Sequence, residues 1–173
     1  CLDRPTSGVV LFARTSKALQ RLNGLFRENR VRKLYWAVVK TSPPKRSDTL
    51  IHYLVRNAAR NKSYVHEHPV QGGKEARLSY RWILSLQRYH LLEIDLHTGR
   101  HHQIRAQLAE IGCPVKGDLK YGFPRSDPEG GIHLHARELG LDHPVRKTPL
   151  RIIADPPADA LWDAILHSPA LPG

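Results

Sequence analysis

The sequence predicts an α+β fold, with a mixed, mostly antiparallel sheet flanked by helices. Pairs of apolar, β-branched segments joined by short turns are interspersed with isolated amphipathic segments. This order is typical of α+β domains rather than of regular strand–helix–strand repeats. The 173 residues fit a single domain. A chain of this length buries about 70% of its unfolded surface on folding, so no disulfide or metal is needed to hold it together.

The first elements are a predicted strand and a predicted helix. Residues 8–13 (GVVLFA) have the composition of a buried strand. Thr15 or Ser16 is placed to cap a helix over residues 16–29. Its apolar residues recur at helical spacing and should form the face toward the core, namely Ala18, Leu19, Leu22, Leu25 and Phe26.

Aromatic and β-branched residues predict a strand over residues 33–40, and a shorter one is predicted over 49–55. Tyr35 and Trp36 must point to opposite faces of the first strand. One ring could therefore pack in the core while the other faces a cleft, where it could stack on a nucleobase. Core packing of both rings is the alternative.

Two strands joined by a short turn are predicted over residues 75–85 and 89–96, and a helix follows between Thr98 as its N-cap and Gly112 as its C-terminal stop. Its buried stripe comprises Ile104, Leu108 and Ile111. The remaining prediction is a Gly- and Pro-rich loop, two strands and a helix, over residues 113–131, 132–136, 149–154 and 157–167.

Charge is the most informative bulk property. Lys and Arg number 27 against 16 acidic residues, giving a net charge of +11 and a pI near 10.1. This excess of positive charge favours a polyanionic partner, and nucleic acid is the first candidate. The sequence has no apolar run long enough for a membrane span and no signal-peptide pattern. Its two cysteines suit a reducing cytoplasm.

The first candidate catalytic group is Asp3, in D-R-P-T-S-G. Pro5 fixes its own backbone φ angle, and Gly8 can adopt backbone conformations that other residues avoid. The segment should therefore form a stiff loop that leads into a strand. A carboxylate held there is suited to act as a nucleophile or base. The alternative is an Asx turn that only satisfies backbone donors.

Two arginines in T-G-R-H-H-Q-I-R suggest an anion near the predicted helix over residues 98–112. Arg105 should lie at the edge of the buried face, where a guanidinium needs a carboxylate or phosphate partner, and Asp3 is a candidate. Arg100 falls in the predicted first turn, where a cation is unfavourable beside the helix dipole. It could bind an external anion or be an ordinary exposed arginine.

The histidine pairs His97/His101 and His133/His135 raise the question of a metal site. We expect none, because H-E-x-x-H and C-x-x-C are absent and the carboxylates are not placed to complete one. The glycine patterns of phosphate loops and of dinucleotide-binding folds are absent, and no G-x-S-x-G turn supports a Ser-His-Asp triad.

Four segments, in order along the chain, resemble the signatures of the RluA-type pseudouridine synthases, which isomerise uridine in ribosomal or transfer RNA. C-L-D-R-P-T-S-G is similar to their H-R-L-D-x-x-T-S-G, and K-L-Y-W-A-V-V to their K-x-Y-x-A-x-V. The third family signature, T-G-R-x-H-Q-I-R followed by G-D-x-x-Y-G, is similar to T-G-R-H-H-Q-I-R and the later G-D-L-K-Y-G. The fourth, L-x-L-H-A-x-x-L followed by H-P, is similar to I-H-L-H-A-R-E-L and the later H-P. The similarity extends from Leu2 to Pro144.

The resemblance implies that Asp3 is the catalytic aspartate, that Tyr35 stacks on the target base and that Arg105 pairs with Asp3. Leu134 matches the apolar residue beneath the base. The G-D-L-K-Y-G segment, which contains Gly117, Asp118, Tyr121 and Gly122, matches a motif that we interpret as mainly structural. We further expect the substrate contacts to include Arg4, Arg100 and His102.

The resemblance therefore implies a cofactor-free, metal-free RNA isomerase that acts on rRNA or tRNA, and we expect a cytoplasmic monomer. Cys1 stands where the family has an arginine associated with holding the flipped-out nucleotide, so the sequence departs from the family pattern at that position. Members also carry residues before the signature, so residues 1–173 are expected to be one catalytic domain lacking its N-terminal segment. The alternative is a non-catalytic RNA-binding module on the same scaffold.

Overall fold

The computed structural model describes residues 2–172, in which three helices and eight strands are found. None of these helices is long and apolar enough to cross a membrane. The helices are Ser16–Arg27 (α1), Gln103–Glu110 (α2) and Ala160–Leu166 (α3). The strands are Ser7–Gly8 (β1), Arg32–Val39 (β2), Ser47–Asn57 (β3), Lys62–His66 (β4), Lys74–Ser85 (β5), His90–Leu96 (β6), Leu134–Asp142 (β7) and Pro149–Ile153 (β8).

All eight strands belong to one sheet with the order β1-β7-β2-β6-β5-β3-β4, and β8 also pairs with β7. Every pairing among them is antiparallel except that of β1 with β7, which is parallel. The predicted α+β class with a mixed, mostly antiparallel sheet is confirmed.

The central strand β2 separates two hydrophobic layers. Ala37 and Val39 belong to a core cluster that includes α2, while Trp36 and Val38 pack on the other side against α3. This alternation follows from the period of two along a strand. Tyr35 lies on the α2 side, where it is partly buried against the first cluster. Tyr35 and Trp36 thus point to opposite faces, as predicted.

The predicted buried strand over residues 8–13 is wrong beyond its first residue. Ser7 pairs with His135 and Gly8 with Ala136, after which β8 occupies the same edge of β7 from Glu138 onward. The chain must therefore leave the sheet after Gly8. It continues along the surface, where Phe12 is 87% exposed.

The first helix begins as predicted, with Thr15 as N-cap accepting a hydrogen bond from the backbone N–H of Ala18 at 3.2 Å. Its predicted core face is only partly correct, because Leu25 is buried but Leu19 and Phe26 are exposed. α1 packs on a small cluster near β7 and β8, which covers a narrow stripe of the helix.

The second helix is shorter than predicted, and Thr98 is not its N-cap. The hydroxyl of Thr98 accepts a hydrogen bond from the backbone N–H of Arg77 and donates one to the side chain of Gln103, both at 2.8 Å. These contacts hold residues 98–102 as a loop against β5. His102, at φ +53°, is the actual N-cap residue, and the chain turns at Gly112 as predicted.

The remaining predicted strands and the last helix are present, with shifted ends. β7 continues to Asp142, beyond the predicted end at residue 136, and α3 begins at Ala160 rather than at residue 157. β4 has no counterpart in the sequence prediction. It pairs with the end of β3 and forms one edge of the sheet.

We predict opposite effects of alanine at two glycines. Gly8 has φ +120°, and a Cβ there would lie 2.3 Å from the carbonyl oxygen of Ala136. Gly8→Ala should lower the free energy of unfolding by at least about 2 kcal/mol through strain and overlap. In α1, a Cβ on Gly24 would meet no atom closer than 4.0 Å. Gly24→Ala should raise stability by about 0.5–1 kcal/mol, because alanine is the better helix former.

Urea unfolding of both variants measures these changes. Equal stability of Gly8→Ala and the wild type would contradict the close approach of β1 to β7.

Candidate active site

A cleft of about 570 Å³ opens where β1, β2 and the start of α2 meet. Six of the residues predicted to form the site line it, although they come from distant parts of the sequence: Asp3, Tyr35, Arg100, His102, Arg105 and Leu134. The seventh, Arg4, borders a separate depression formed with Pro5, Thr6, Ser7 and Gly131.

A backbone turn holds Asp3 at the edge of the cleft. The backbone N–H of Thr6 donates a hydrogen bond of 2.9 Å to the carbonyl oxygen of Asp3. The pairing of β1 with β7 fixes the chain that follows, and Ser7 Oγ lies 2.8 Å from His135 Nδ1. Because the backbone carbonyl closes the turn, the Asp3 carboxylate is free to face Arg105 and His102 across the cleft.

Arg105 is the electrostatic centre of the site. Its guanidinium donates two short hydrogen bonds to Asp118, from Nε at 2.7 Å and from Nη2 at 2.8 Å. Its third nitrogen, Nη1, lies 3.5 Å from Asp3 Oδ2. Arg105 is 4% exposed and Asp118 is 1% exposed. Burial by itself would lower the pKa of Arg105, but the hydrogen bonds and charge of Asp118 raise it overall.

The sequence-based interpretation gave the segment that contains Asp118 a mainly structural, loop-forming role, and the pairing with Arg105 adds an electrostatic one. The turn that positions Asp118 depends on Gly117, which has φ +86° and on which a Cβ would lie 3.2 Å from the carbonyl oxygen of Gly131. Sequence spacing gave no signal for this ion pair, since the two residues are joined by a helix end and an irregular loop.

His102 connects Asp3 to a buried tyrosine. Its Nδ1 lies 2.9 Å from the hydroxyl of Tyr121, and its Nε2 lies 3.7 Å from Asp3 Oδ2. Burial lowers the pKa of His102 to about 4, against the opposing effect of the Asp3 charge. The ring is therefore neutral near pH 7.

The hydrogen bonds of Tyr121 indicate which ring nitrogen of His102 carries the proton. The Tyr121 oxygen accepts a hydrogen bond of 2.9 Å from the backbone N–H of Ser63. Burial raises the pKa of Tyr121, so its phenol keeps a proton to donate to His102 Nδ1. If the phenol donates to Nδ1, the imidazole proton lies on Nε2, which faces Asp3.

Tyr35 and Leu134 form the apolar wall of the cleft. Leu134 is 3% exposed and lies opposite Ala37 in the pairing of β2 with β7, which puts it on the same face as Tyr35. Burial, together with the nearby Asp3 charge, raises the pKa of the Tyr35 phenol to about 12. This ring thus offers a neutral flat surface at neutral pH.

Two further predictions depend on Arg100 and Cys1. Arg100 precedes α2 instead of lying in its first turn, so the helix-dipole argument does not apply. Its Nε donates a hydrogen bond of 2.8 Å to the backbone carbonyl of Glu75 while the side chain borders the cleft. Cys1, which stands in place of the family's arginine, lies outside the described residues.

The expectation that no carboxylate is placed near the histidine pairs was wrong for His133. Its Nδ1 lies 3.1 Å from Asp127 and its Nε2 lies 3.1 Å from Asp159. The ligand atoms of these three residues lie within 4.8 Å of one another, which is close enough to hold a metal ion. The Lys116 ammonium, however, contacts Asp127 and lies 3.3 Å from His133 Nδ1, so a cation already accompanies this cluster.

Comparison with known proteins points to one family. A family model described as RNA pseudouridylate synthase matches residues 1–110. A protein of Chloroflexus aurantiacus named as an uncharacterized RNA pseudouridine synthase is 38% identical over 148 residues, which are 83% of this chain and 44% of that protein. The chain spans about half the length of most of the curated relatives that it matches.

Two relatives carry more specific names. The tRNA pseudouridine synthase C of Salmonella typhi is 32% identical, over 95% of this chain and 69% of its own. The ribosomal large subunit pseudouridine synthase D of Xylella fastidiosa is 34% identical, over 91% and 50%. Among solved structures, human RNA pseudouridylate synthase domain containing 4 superimposes with a TM-score of 0.79 at 24% identity, covering 96% of this chain and 72% of that one.

We predict that removing the charge of Asp118 destabilises the protein far more than the same change at an exposed ion pair. Asp118→Asn should lower the free energy of unfolding by roughly 3–5 kcal/mol, because Arg105 is left buried without its main counter-ion. Asp155→Asn is the matched control, since Asp155 pairs with Arg137 but its side chain is 80% exposed. Its cost should stay below about 1 kcal/mol. Similar losses in the two variants, measured by urea unfolding, would contradict the central role of Asp118.

We also predict that His102 makes stability depend on pH. Its folded pKa of about 4 lies below the ordinary value of 6.5, so the unfolded chain binds a proton in this interval that the folded chain does not. The free energy of unfolding should therefore fall as the pH decreases from 6.5 to 4, by at most about 1.4 kcal/mol per pH unit from this group.

His102→Asn should make this pH dependence less steep, and asparagine tolerates the positive φ at this position. Urea unfolding at several pH values measures both slopes. Buried His133 and His135 contribute in both proteins, so equal slopes in variant and wild type would exclude His102 as a source.

Proposed function

The chain belongs to the RluA-type family of RNA pseudouridine synthases, and on that premise we propose that it isomerises specific uridines to pseudouridine in ribosomal or transfer RNA. The observation that carries the proposal is the Asp3 carboxylate at a cleft, with Nη1 of the buried Arg105 at 3.5 Å. Asp3 keeps 28% of its side chain exposed, so a substrate can reach it.

The reaction breaks the bond between C1′ of ribose and N1 of uracil, turns the base, and joins C1′ to C5. N1 gains a proton and C5 loses one, so atoms balance without any oxidant or reductant. Asp3 would begin the reaction either by attacking C1′ or by removing a proton from the ribose. Both routes require an ionised carboxylate, and a nearby guanidinium favours that form.

Arg105 suits this role because its charge is already fixed in place. Asp118 holds two of its nitrogens, and the third remains directed at Asp3. A preorganised cation stabilises the carboxylate without rearranging during the reaction. His102 would assist as a positioning residue, by directing its Nε2 proton at the same carboxylate oxygen.

Tyr35 and Leu134 would hold the uracil after it leaves the ribose. A flat ring and an apolar wall can sandwich a pyrimidine, which keeps the detached base close to C1′ while it turns. With a pKa of about 12, the Tyr35 phenol is a poor base near neutral pH. Its proposed contribution is therefore contact with the base.

The RNA must present the uridine with its base unstacked, because a base that is stacked within an RNA helix cannot enter a cleft. Extrusion costs a few kcal/mol, which phosphate contacts to a protein of net charge +11 can offset. Arg100 lines the cleft and is suited to such a contact, whereas Arg4 would contact RNA only outside it. Three expectations remain predictions: that residues 1–173 form a single catalytic domain, that the protein is a monomer, and that it is located in the cytoplasm.

We predict that Asp3→Asn abolishes pseudouridine formation and leaves RNA affinity within about twofold of the wild type. The change removes the reacting charge but little volume. Release of tritium from RNA that contains 5-tritiated uridine measures turnover, and filter binding measures affinity.

Asp163→Asn on α3 is the matched control, because this carboxylate does not line the cleft and should leave turnover unchanged. Substantial tritium release by Asp3→Asn would refute Asp3 as the catalytic group. No release by the wild type on any rRNA or tRNA would favour the non-catalytic RNA-binding alternative.

A further inference from the structure

Lys33 is a buried cation in the cleft, and no side chain of residues 2–172 forms an ion pair or hydrogen bond with its amine. It lies on β2, two residues before Tyr35, and lines the same cleft. The residue is only 9% exposed. Among residues 2–172, the charge of Asp95 acts on the Lys33 amine from a distance, without a hydrogen bond or ion pair between them. Burial lowers the pKa of Lys33, and Asp95 offsets this only partly.

Two other cations that are largely withdrawn from solvent are paired. Arg105 donates two hydrogen bonds to Asp118, and Lys116 contacts Asp127. Such pairing is the usual condition for burying a charge, since an ammonium withdrawn from water without a partner costs several kcal/mol. Among residues 2–172, Lys33 is the exception, which points to a partner from outside the described residues.

Strand register explains why Asp95, whose charge acts on Lys33, does not pair with it. Asp95 lies opposite Leu34 across the β2–β6 pair, so its side chain is on the face opposite to that of Lys33. There it lies 3.9 Å from Arg32. Glu138, on the other neighbouring strand, is also opposite Leu34 and pairs with Arg151.

The cleft itself has an excess of positive charge. Asp3 is the only carboxylate among the described residues that line it, and Asp118 adds a second negative charge through its pair with Arg105. Against these two carboxylates stand four cations along the lining, namely Arg27, Lys33, Arg100 and Arg105, which leaves two positive charges in excess. A neutral uracil cannot balance these charges, whereas a phosphodiester carries one full negative charge per nucleotide.

We propose that Lys33 binds a backbone phosphate of the RNA next to the nucleotide that enters the cleft. This inference rests on the proposed function, because it takes RNA as the ligand of the cleft. A lysine that is two residues from Tyr35 on the same strand face would fix one end of the nucleotide while the tyrosine contacts its base. The buried amine is then a specific phosphate subsite rather than part of a diffuse basic surface.

The first test is the salt dependence of RNA binding. Affinity for a short oligouridylate is measured between about 50 and 200 mM salt for the wild type, Lys33→Met and Lys40→Met. Lys40 follows the end of β2, is exposed and does not line the cleft, which makes it a matched control. Loss of one phosphate contact should reduce the slope of log K against log salt by about 0.7. Affinity at low salt should fall about tenfold, as for loss of a charged hydrogen bond.

The second test is stability without RNA. If Lys33 is retained for binding despite the cost of burying it, Lys33→Met should raise the thermal unfolding midpoint by a few degrees, about 2–4 °C. Lys33→Arg, which keeps the charge, should retain a salt slope close to that of the wild type. Lys33→Gln provides a second neutral variant if the methionine variant does not fold.

Three results would overturn the proposal. These are an unchanged salt slope in the neutral Lys33 variants, an equal change of slope in Lys40→Met, or lower unfolding midpoints in both neutral Lys33 variants. A fall in affinity with an unchanged slope would indicate a contact with the base instead. These experiments measure RNA binding and protein stability, not turnover. If the wild type released no tritium, that result would count against the proposed reaction and not against the phosphate subsite.

Discussion

The buried pair of Arg105 and Asp118 is the interaction on which the candidate site depends. A guanidinium has five donors in a rigid fork, and Asp118 engages it through two nitrogens. The third nitrogen is thereby aimed at Asp3 from a fixed position. Because Asp118 makes the short contacts, Asp3 receives a longer one of 3.5 Å and stays partly exposed. The carboxylate is thus influenced by a positive charge without being enclosed by it.

Around this pair, the protein keeps its other polar groups neutral or compensated. Tyr121 accepts a hydrogen bond from the Ser63 backbone and supplies one to His102, whose burial keeps it uncharged near pH 7. Lys116 accompanies Asp127 in the cluster with His133. Within the described residues that line the cleft, Lys33 stands apart because it is buried yet has no such partner. An uncompensated charge of this kind lowers stability, which proteins accept where the charge serves a functional site.

Local patterns in the sequence predicted most elements but not all of their ends. Strand β2 was predicted to within one residue at each end, because its aromatic and β-branched residues favour an extended backbone through local preferences. Residues 9–13 have the same apolar character, yet they lie outside the sheet because β8 takes the edge of β7 that they would need. Thr98 has the chemistry of an N-cap, but its hydroxyl is engaged by β5 and Gln103. In both cases a tertiary contact outcompeted a local preference.

By itself, the sequence determined the fold class, the family and the chemical character of the candidate site, since composition, periodicity and ordered motifs are properties of the chain. The resemblance also predicted that Arg105 pairs with Asp3, whereas only the tertiary structure decided that Asp118 joins them and how the three groups are held. Asp3, Arg105 and Asp118 are brought together by the parallel pairing of β1 with β7, the burial of α2 and a turn at Gly117. The isolation of Lys33 from Asp95 depends on strand register. Distances across a fold are set by such long-range geometry, about which the spacing of residues along a chain carries little information.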